Sequence, residues 1–393
     1  MNRFGANIFL TLFFSIFVAV TGVGIVIPLL PVYAHNLGAS GLYISLIFGS
    51  FSISRTLLLP YFGRMSDRRG RKPYIVFGLL SYAVVSLGFM MASSVETLIF
   101  LRFFQGIASA MVMPVAQAYV GDITPEGKEG VYMGFFSMSM FAGMSLGPFM
   151  GGVINSSYGL DAAFAGMGIL AMAAFLLSSL FLPPVDQEKS TRIKKKPDSW
   201  KIIMANKVVL GLASLRFAYT TCVGVIWCFL PLFMTIRFKL GSSASGTLVM
   251  LMVLVGAIFH APFGYFADRV NKIMLMVVGS VIIILSMLSF GLADGFNDLL
   301  FSVTAFGIGG GISLPALSAM AVTEGKKMVA LGSVMSILTM AHSMGMLVGS
   351  LIAGLTMDYV DLSQAFPMGA VIMLFGTIFM LWCMKNSVTK SVE

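Results

Sequence analysis

Apolar runs of about 20 or more residues recur along this chain, and nearly all charged residues fall between them. A helix of that length crosses a hydrocarbon core of roughly 30 Å at 1.5 Å per residue. Inside hydrocarbon the backbone has no water to bond to, so its N–H and C=O groups must pair within the segment, as they do in a helix. The runs lie at 5–34, 41–63, 73–92, 97–120, 130–157 and 161–183, and then at 207–235, 242–266, 272–293, 297–321, 328–357 and 363–385. Twelve spans are therefore predicted. With 58% hydrophobic and 10% charged residues, an ordinary soluble globule is excluded. The expected fold class is an all-α membrane protein of twelve transmembrane helices in two pseudo-symmetric six-helix bundles, 1–183 and 207–393, joined by a polar linker, 184–206.

Lysine and arginine set the expected orientation, because basic loops stay on the cytoplasmic side. Arg3, the cluster from Arg64 to Lys72, Lys128, the linker cations, Arg269 and Lys272, Lys326 and Lys327, and Lys385 and Lys390 fall on one side, against Arg237 and Lys239 on the other. Both termini are expected in the cytoplasm, and a bacterial cytoplasmic (inner) membrane is the expected location. No small-residue cleavage site follows the first run, so that helix is expected to be retained. The net charge of +9 sits in short loops with no soluble domain to present it, so no nucleic-acid partner is expected. Cys222, Cys228 and Cys383 form no disulfide or metal pattern. With no Walker motif or nucleophilic triad either, neither a cofactor nor an enzymatic activity is expected.

One stretch organises the rest. Gly63 to Pro73, GRMSDRRGRKP, lies between two spans and reads as a loop at a membrane face. Gly63 and Gly70 would allow a positive φ or a close backbone approach, and Asp67 has Arg64, Arg68, Arg69, Arg71 and Lys72 to choose among. A second copy begins 201 residues later, with Gly264, Asp268, Arg269 and Lys272. Gly24 and Pro31 return as Gly224 and Pro231. Gly143, Gly147, Pro148, Gly151 and Gly152, the run GxxxGPxxGG, return as Gly345, Gly349, Ser350, Ala353 and Gly354. Matched landmarks at a nearly constant offset indicate a duplicated chain.

Two such halves with basic cytoplasmic loops resemble the major facilitator superfamily. GRMSDRRGRKP looks like its signature loop between helices 2 and 3; Leu98, Arg102, Gln105, Gly106, Ala108 and Ala110 look like its helix 4 motif. GxxxGPxxGG resembles the helix 5 antiporter motif, and Gly22, Gly24, Pro28 and Pro31 resemble the helix 1 pattern of the twelve-helix drug:proton antiporters. The resemblance implies proton-coupled efflux of amphipathic drugs or small metabolites by alternating access. A small-molecule substrate, protons and the lipid bilayer are the implied partners, and a monomer the implied state. It also implies a conformational latch in which the loop, with Asp67 and Arg68, pairs with Asp122. The residues alone read otherwise: small residues every fourth position let helices pack closely, and the charges at span ends could simply be solvated.

Ionisable groups inside spans are costly and usually functional. Arg55, Arg102 and Arg216 are the basic ones, His260 and His342 can titrate near neutrality, and no carboxylate lies mid-span. The arginines could snorkel to an interface, and the histidines could be packing residues. Tyr33, Gln117, Tyr219, Trp227 and the segment Gly307 to Pro315 lie on spans that line the cavity in the resembled fold. They are further substrate candidates. The lack of a mid-span acid departs from cation exporters. A transporter of organic anions using Arg55, Arg216 or Arg102 is the competing reading, and a non-transporting receptor on the same scaffold is a third.

Overall fold

The structure is a computed structural model describing residues 3–124, 129–183, 203, 205–267, 269–328 and 331–388. Among these residues every regular element is helical, and 12 helical spans are long and apolar enough to cross a membrane. The first span is broken into α1 (Arg3–Val26) and α2 (Leu30–Asn36). There follow α3 (Gly41–Arg69), α4 (Lys72–Met91), α5 (Val95–Ile123), α6 (Glu129–Tyr158) and α7 (Leu160–Phe181). The second series is α8 (Lys207–Phe238), α9 (Ser242–Ala267), α10 (Lys272–Gly291), α11 (Phe296–Lys327), α12 (Leu331–Tyr359) and α13 (Ala365–Val388). Leu57, Phe77, Phe100, Phe301 and Phe375 stand exposed, a coat suited to lipid and hazardous in water.

Local chemistry explains the ends. Ser94 caps α5 by accepting from Thr97 N (3.3 Å), and Asn271 caps α10 by accepting from Ile273 N (2.9 Å). Pro73 sits in the first turn of α4, where its missing N–H costs nothing. Pro31 and Pro231 are equivalent, yet α8 runs unbroken through Pro231 while the first span breaks. The first span carries a second proline, Pro28, where α8 has Cys228. A lone proline removes one bond from a helix; two within a turn leave too few to hold it.

The chain divides into two compact units. The first comprises Met1–Ala39, Leu46–Arg192 and Met234–Met250, and the second Ser40–Ser45, Ile193–Phe233 and Leu251–Glu393. Within the first unit, Gly143 and Gly147 of α6 lie against the backbone of α1 at Phe17, Thr21 and Gly24. In the second, Gly345 and Gly349 of α12 lie against α8 at Phe217, Thr220 and Thr221, and Gly224 lies against Met346. A Cβ at Gly147 or Gly349 would enter the facing backbone, so glycine is required for this crossing. Phe17 and Phe217, and Thr21 and Thr221, occupy corresponding places; each threonine donates to the phenylalanine carbonyl, at 2.7 and 2.9 Å. The duplication therefore extends to contacts: α1 meets α6 in the first unit as α8 meets α12 in the second.

Candidate functional site

The stretch predicted as a loop is mostly helix. α3 continues to Arg69, and α4 begins at Lys72. The whole reversal falls on Gly70, whose φ of 89° is a left-handed value that side chains disfavour. Gly63 is helical with open space where a Cβ would stand, so neither reason given for a glycine there applies. Gly264 of the second copy is nearly as open, with only Pro315 at 3.9 Å. Arg71 is the hub of the reversal. Its Nη1 meets Asp67 Oδ1 at 2.6 Å and donates to Ser66 Oγ at 3.0 Å, and its Nε donates to Asp122 Oδ2 at 3.0 Å. Arg71 is 12% exposed, against 52% for Asp67 and 33% for Asp122. A shielded guanidinium thus holds two wet carboxylates from α3 and α5. Arg68 lies one turn before it. The second reversal is built differently. Asp268 lies outside the described residues, and the Arg269 guanidinium lies 3.7 Å over the Tyr265 ring. Glu324, which occupies the position of Asp122 at an offset of 202 in the duplication, is engaged by Asn206 Nδ2 at 3.1 Å and Lys327 Nζ at 3.2 Å.

Deeper in the first unit, Arg102 of α5 is buried in an aromatic nest. Its guanidinium carbon lies 4.9 Å from the Phe48 ring centre and 4.6 Å from that of Phe51, and Nη1 donates to Gln105 Oε1 at 2.6 Å. Gln105 is fully buried, with Nε2 at 3.9 Å from Met167 Sδ. Gly106 completes the motif by its missing side chain: a Cβ would overlap Ser54 Oγ and the Phe51 carbonyl. The contact is pinned by Ser50 Oγ donating to Ile99 O (3.1 Å) and Ser54 Oγ to Phe103 O (2.8 Å). Arg55, a turn below, keeps a buried Nε with no hydrogen-bond partner among the described residues, within electrostatic reach of Tyr82.

The second unit collects four of the predicted residues. Arg216 Nη2 of α8 lies 3.3 Å from His342 Nδ1 of α12. His260 of α9 is in electrostatic reach of Arg216. Tyr219, one turn along α8, stacks on Phe306 with ring centres 5.6 Å apart, and Gly310 of α11 makes room for it.

A family model described as Major Facilitator Superfamily matches residues 12–324 and 212–393. The chain belongs to the Major Facilitator Superfamily. An uncharacterized transporter of this superfamily from Methanocaldococcus jannaschii is 30% identical over 381 residues, covering 94% of this chain and 96% of that protein. Quinolone resistance protein NorA of Staphylococcus aureus is 27% identical over 394 residues, covering 94% and 95%. A solved bacterial homolog of the human lysosomal transporter Spinster, inward-facing and occupied, superposes with a TM-score of 0.80 at 13% identity, covering 98% of each chain.

The remaining candidates are scattered over this major facilitator fold. Tyr33 is tied down: its hydroxyl donates to Ala92 O at 2.5 Å, and its ring meets Phe164 edge-on at 6.0 Å. It borders a cavity of about 210 Å3, shared with Pro28, Asn36, Asn155 and Ser242. Gln117 is exposed on α5. Trp227 buries an Nε1 that has no partner among the described residues. Gly307, Gly309 and Gly311, in the segment ending at Pro315, seat α11 against α9 and α10 through close backbone approach. Gly151 meets Ile25, and Gly152 meets Ser242. Sequence reasoning missed Phe48 and Phe51, which a chain of 34 phenylalanines hides. It also missed Asp358, which accepts from Gly41 N (2.6 Å) and Leu42 N (2.9 Å) and so caps α3. No cluster of His, Cys, Asp or Glu among the described residues could hold a metal.

Proposed function

We propose that this transporter exports small amphipathic molecules, with its cycle coupled to protons, and that it works by alternating access between the halves 1–183 and 207–393 on either side of the 184–206 linker. The observation that carries the reading is the Arg71 hub. Three charged side chains, two from the ends of α3 and α5 and one from the reversal just before α4, are joined by contacts that water can compete for, so they can be made and broken for little free energy. Such a hub suits a latch that favours one state of the cycle. The likeness to the quinolone resistance protein supports amphipathic cargo, and the distribution of Lys and Arg supports a cytoplasmic-membrane protein with both termini inside.

Reconstituted vesicles under an imposed pH difference test it. Movement of an amphipathic dye should follow the pH difference and vanish with an ionophore. Asp67→Asn, which leaves Asp122 as the one carboxylate on Arg71, should slow that movement while cysteine labelling of cytoplasm-facing positions rises. Dye movement indifferent to the pH difference, across a panel of compounds, would refute the reading.

A further inference from the structure

The Arg216–His342 contact is not required by the helix crossing beside which it sits. That crossing is made by Gly345 and Gly349 on α12 against Phe217 to Thr221 on α8, and the first unit makes the same crossing with Gly143 and Gly147 against Phe17 to Gly24. At the offsets of 200, 201 and 202 that relate the halves, Arg216, Tyr219, His260 and His342 replace Ile16, Ala19, Leu59 and Met140. The scaffold closes with four apolar side chains in one copy and carries four polar ones in the other. Three of the four, Arg216, His260 and His342, are costly to place inside a membrane unless something uses them.

Their chemistry constrains the use. A guanidinium has five N–H donors and no acceptor. At 3.3 Å, His342 Nδ1 must therefore offer its lone pair to Arg216, which keeps this nitrogen unprotonated. A proton can occupy Nδ1 only after Arg216 withdraws. No ion pair among the described residues includes Arg216, so its charge has no counter-ion among them. Arg216 is the ionisable group seen against His342, and Arg216 in turn has Tyr219 from α8 and His260 from α9 within electrostatic reach. The ionisable groups of α11 and α13 lie towards helix ends: Asp298 in the first turn of α11, and Glu324, Lys326, Lys327 and Lys385 in the last turns of the two helices. Asn206 bonds Glu324 and Lys207 lies over Trp382, which puts these last turns beside the start of α8, about nine residues or roughly 13 Å from Arg216. Asp358, on α12 itself, is four turns away and engaged in capping α3.

We propose that Arg216 and His342 form a binding site for the carboxylate or sulfonate of an amphipathic organic anion, with His342 Nδ1 taking a proton from water as the anion draws Arg216 away. The anion then lies between guanidinium and imidazolium, with Tyr219 on Phe306 as an aromatic wall for its apolar part. Proton and anion then support one another's binding. The proposal rests on the transporter reading for its purpose alone; binding is measurable without transport.

The test uses the purified full chain in detergent. It is titrated calorimetrically with 1-naphthalenesulfonate, which stays ionised throughout, and with neutral 1-naphthalenesulfonamide, at pH about 5.5 and about 7.5, on either side of an ordinary histidine. The sulfonate should bind about tenfold tighter at the acid pH, and the sulfonamide equally at both. Arg216→Gln should weaken the sulfonate at least about tenfold at both, the effect of losing a charged hydrogen bond. His342→Asn, whose amide oxygen can still accept from Arg216 but does not titrate, should abolish the pH difference. Equal sulfonate affinity at the two pH values, or a pH difference that survives in His342→Asn, would overturn the proposal even if Arg216→Gln does not fold. Dye movement in vesicles is scored separately: its absence beside a pH-linked sulfonate site would sink the exporter and leave the site standing.

Discussion

Arg102 keeps its charge in the membrane through two rings and one amide. Phe48 and Phe51 lie one helical turn apart on α3 and together face the guanidinium, and Gln105 takes its Nη1. Lysine would keep the charge but lose the planar stacking and the forked donors. Arg102→Lys should therefore cost about 1–2 kcal/mol of stability, seen as a lower detergent melting temperature. Phe51→Ala in the Arg102→Lys background should add less than it does alone, and strict additivity would show that the stacking contributes nothing. At this scale the sequence could nominate residues but rarely join them. Asp67 was legible as an acid among five cations. That Arg71 bridges it to Asp122 depends on the reversal being compressed onto Gly70, since only an early start of α4 brings Arg71 round to face both. Arg216 and His342 were each placed by depth, but they are 126 residues apart and only the crossing of their helices pairs them.

The elements show which glycines matter. Gly349→Ala would push a methyl into the backbone of α8 at Thr221. It should cost several kcal/mol, the range for overpacking and backbone shift, and expression of folded protein should fall sharply. Gly70→Ala should cost about 1–2 kcal/mol for its left-handed backbone. Gly63→Ala should do the reverse, leaving stability unchanged or raised by about 0.4–1 kcal/mol, because the site is helical and open. If Gly63→Ala melts higher yet transports poorly, the glycine serves a conformation other than this one; if it melts lower, the assignment of open space is wrong. Helix number and rough limits were readable because twelve apolar runs leave few alternatives. The break in the first span was not read, since Pro31 and Pro231 look alike and the effect comes from Pro28 acting with it. The linker expected at 184–206 lies almost wholly outside the described residues.

At the scale of the whole molecule, duplication gives the two units one set of joints and different polar contents. The first carries Arg55, Arg102 and Gln105 among α3 and α5; the second carries Arg216, His260 and His342 among α8, α9 and α12. With no mid-span carboxylate in the chain, a permanent lipophilic cation should be moved more slowly than a matched neutral compound in the same vesicles. Faster movement of the cation would show that the intramembrane arginines do not govern charge selection. The glycine joints also bear on how such a protein can change. Since the α1–α6 and α8–α12 crossings are made by backbone meeting backbone, the side chains flanking them are released from holding the helices together. By position in the duplication, Ile16 and Met140 correspond to Arg216 and His342. Chemistry at that position can be exchanged, or carried from one half to the other by Ile16→Arg with Met140→His, while the joint stays as it is. The fold thereby separates the parts that must stay fixed from those free to acquire a new cargo.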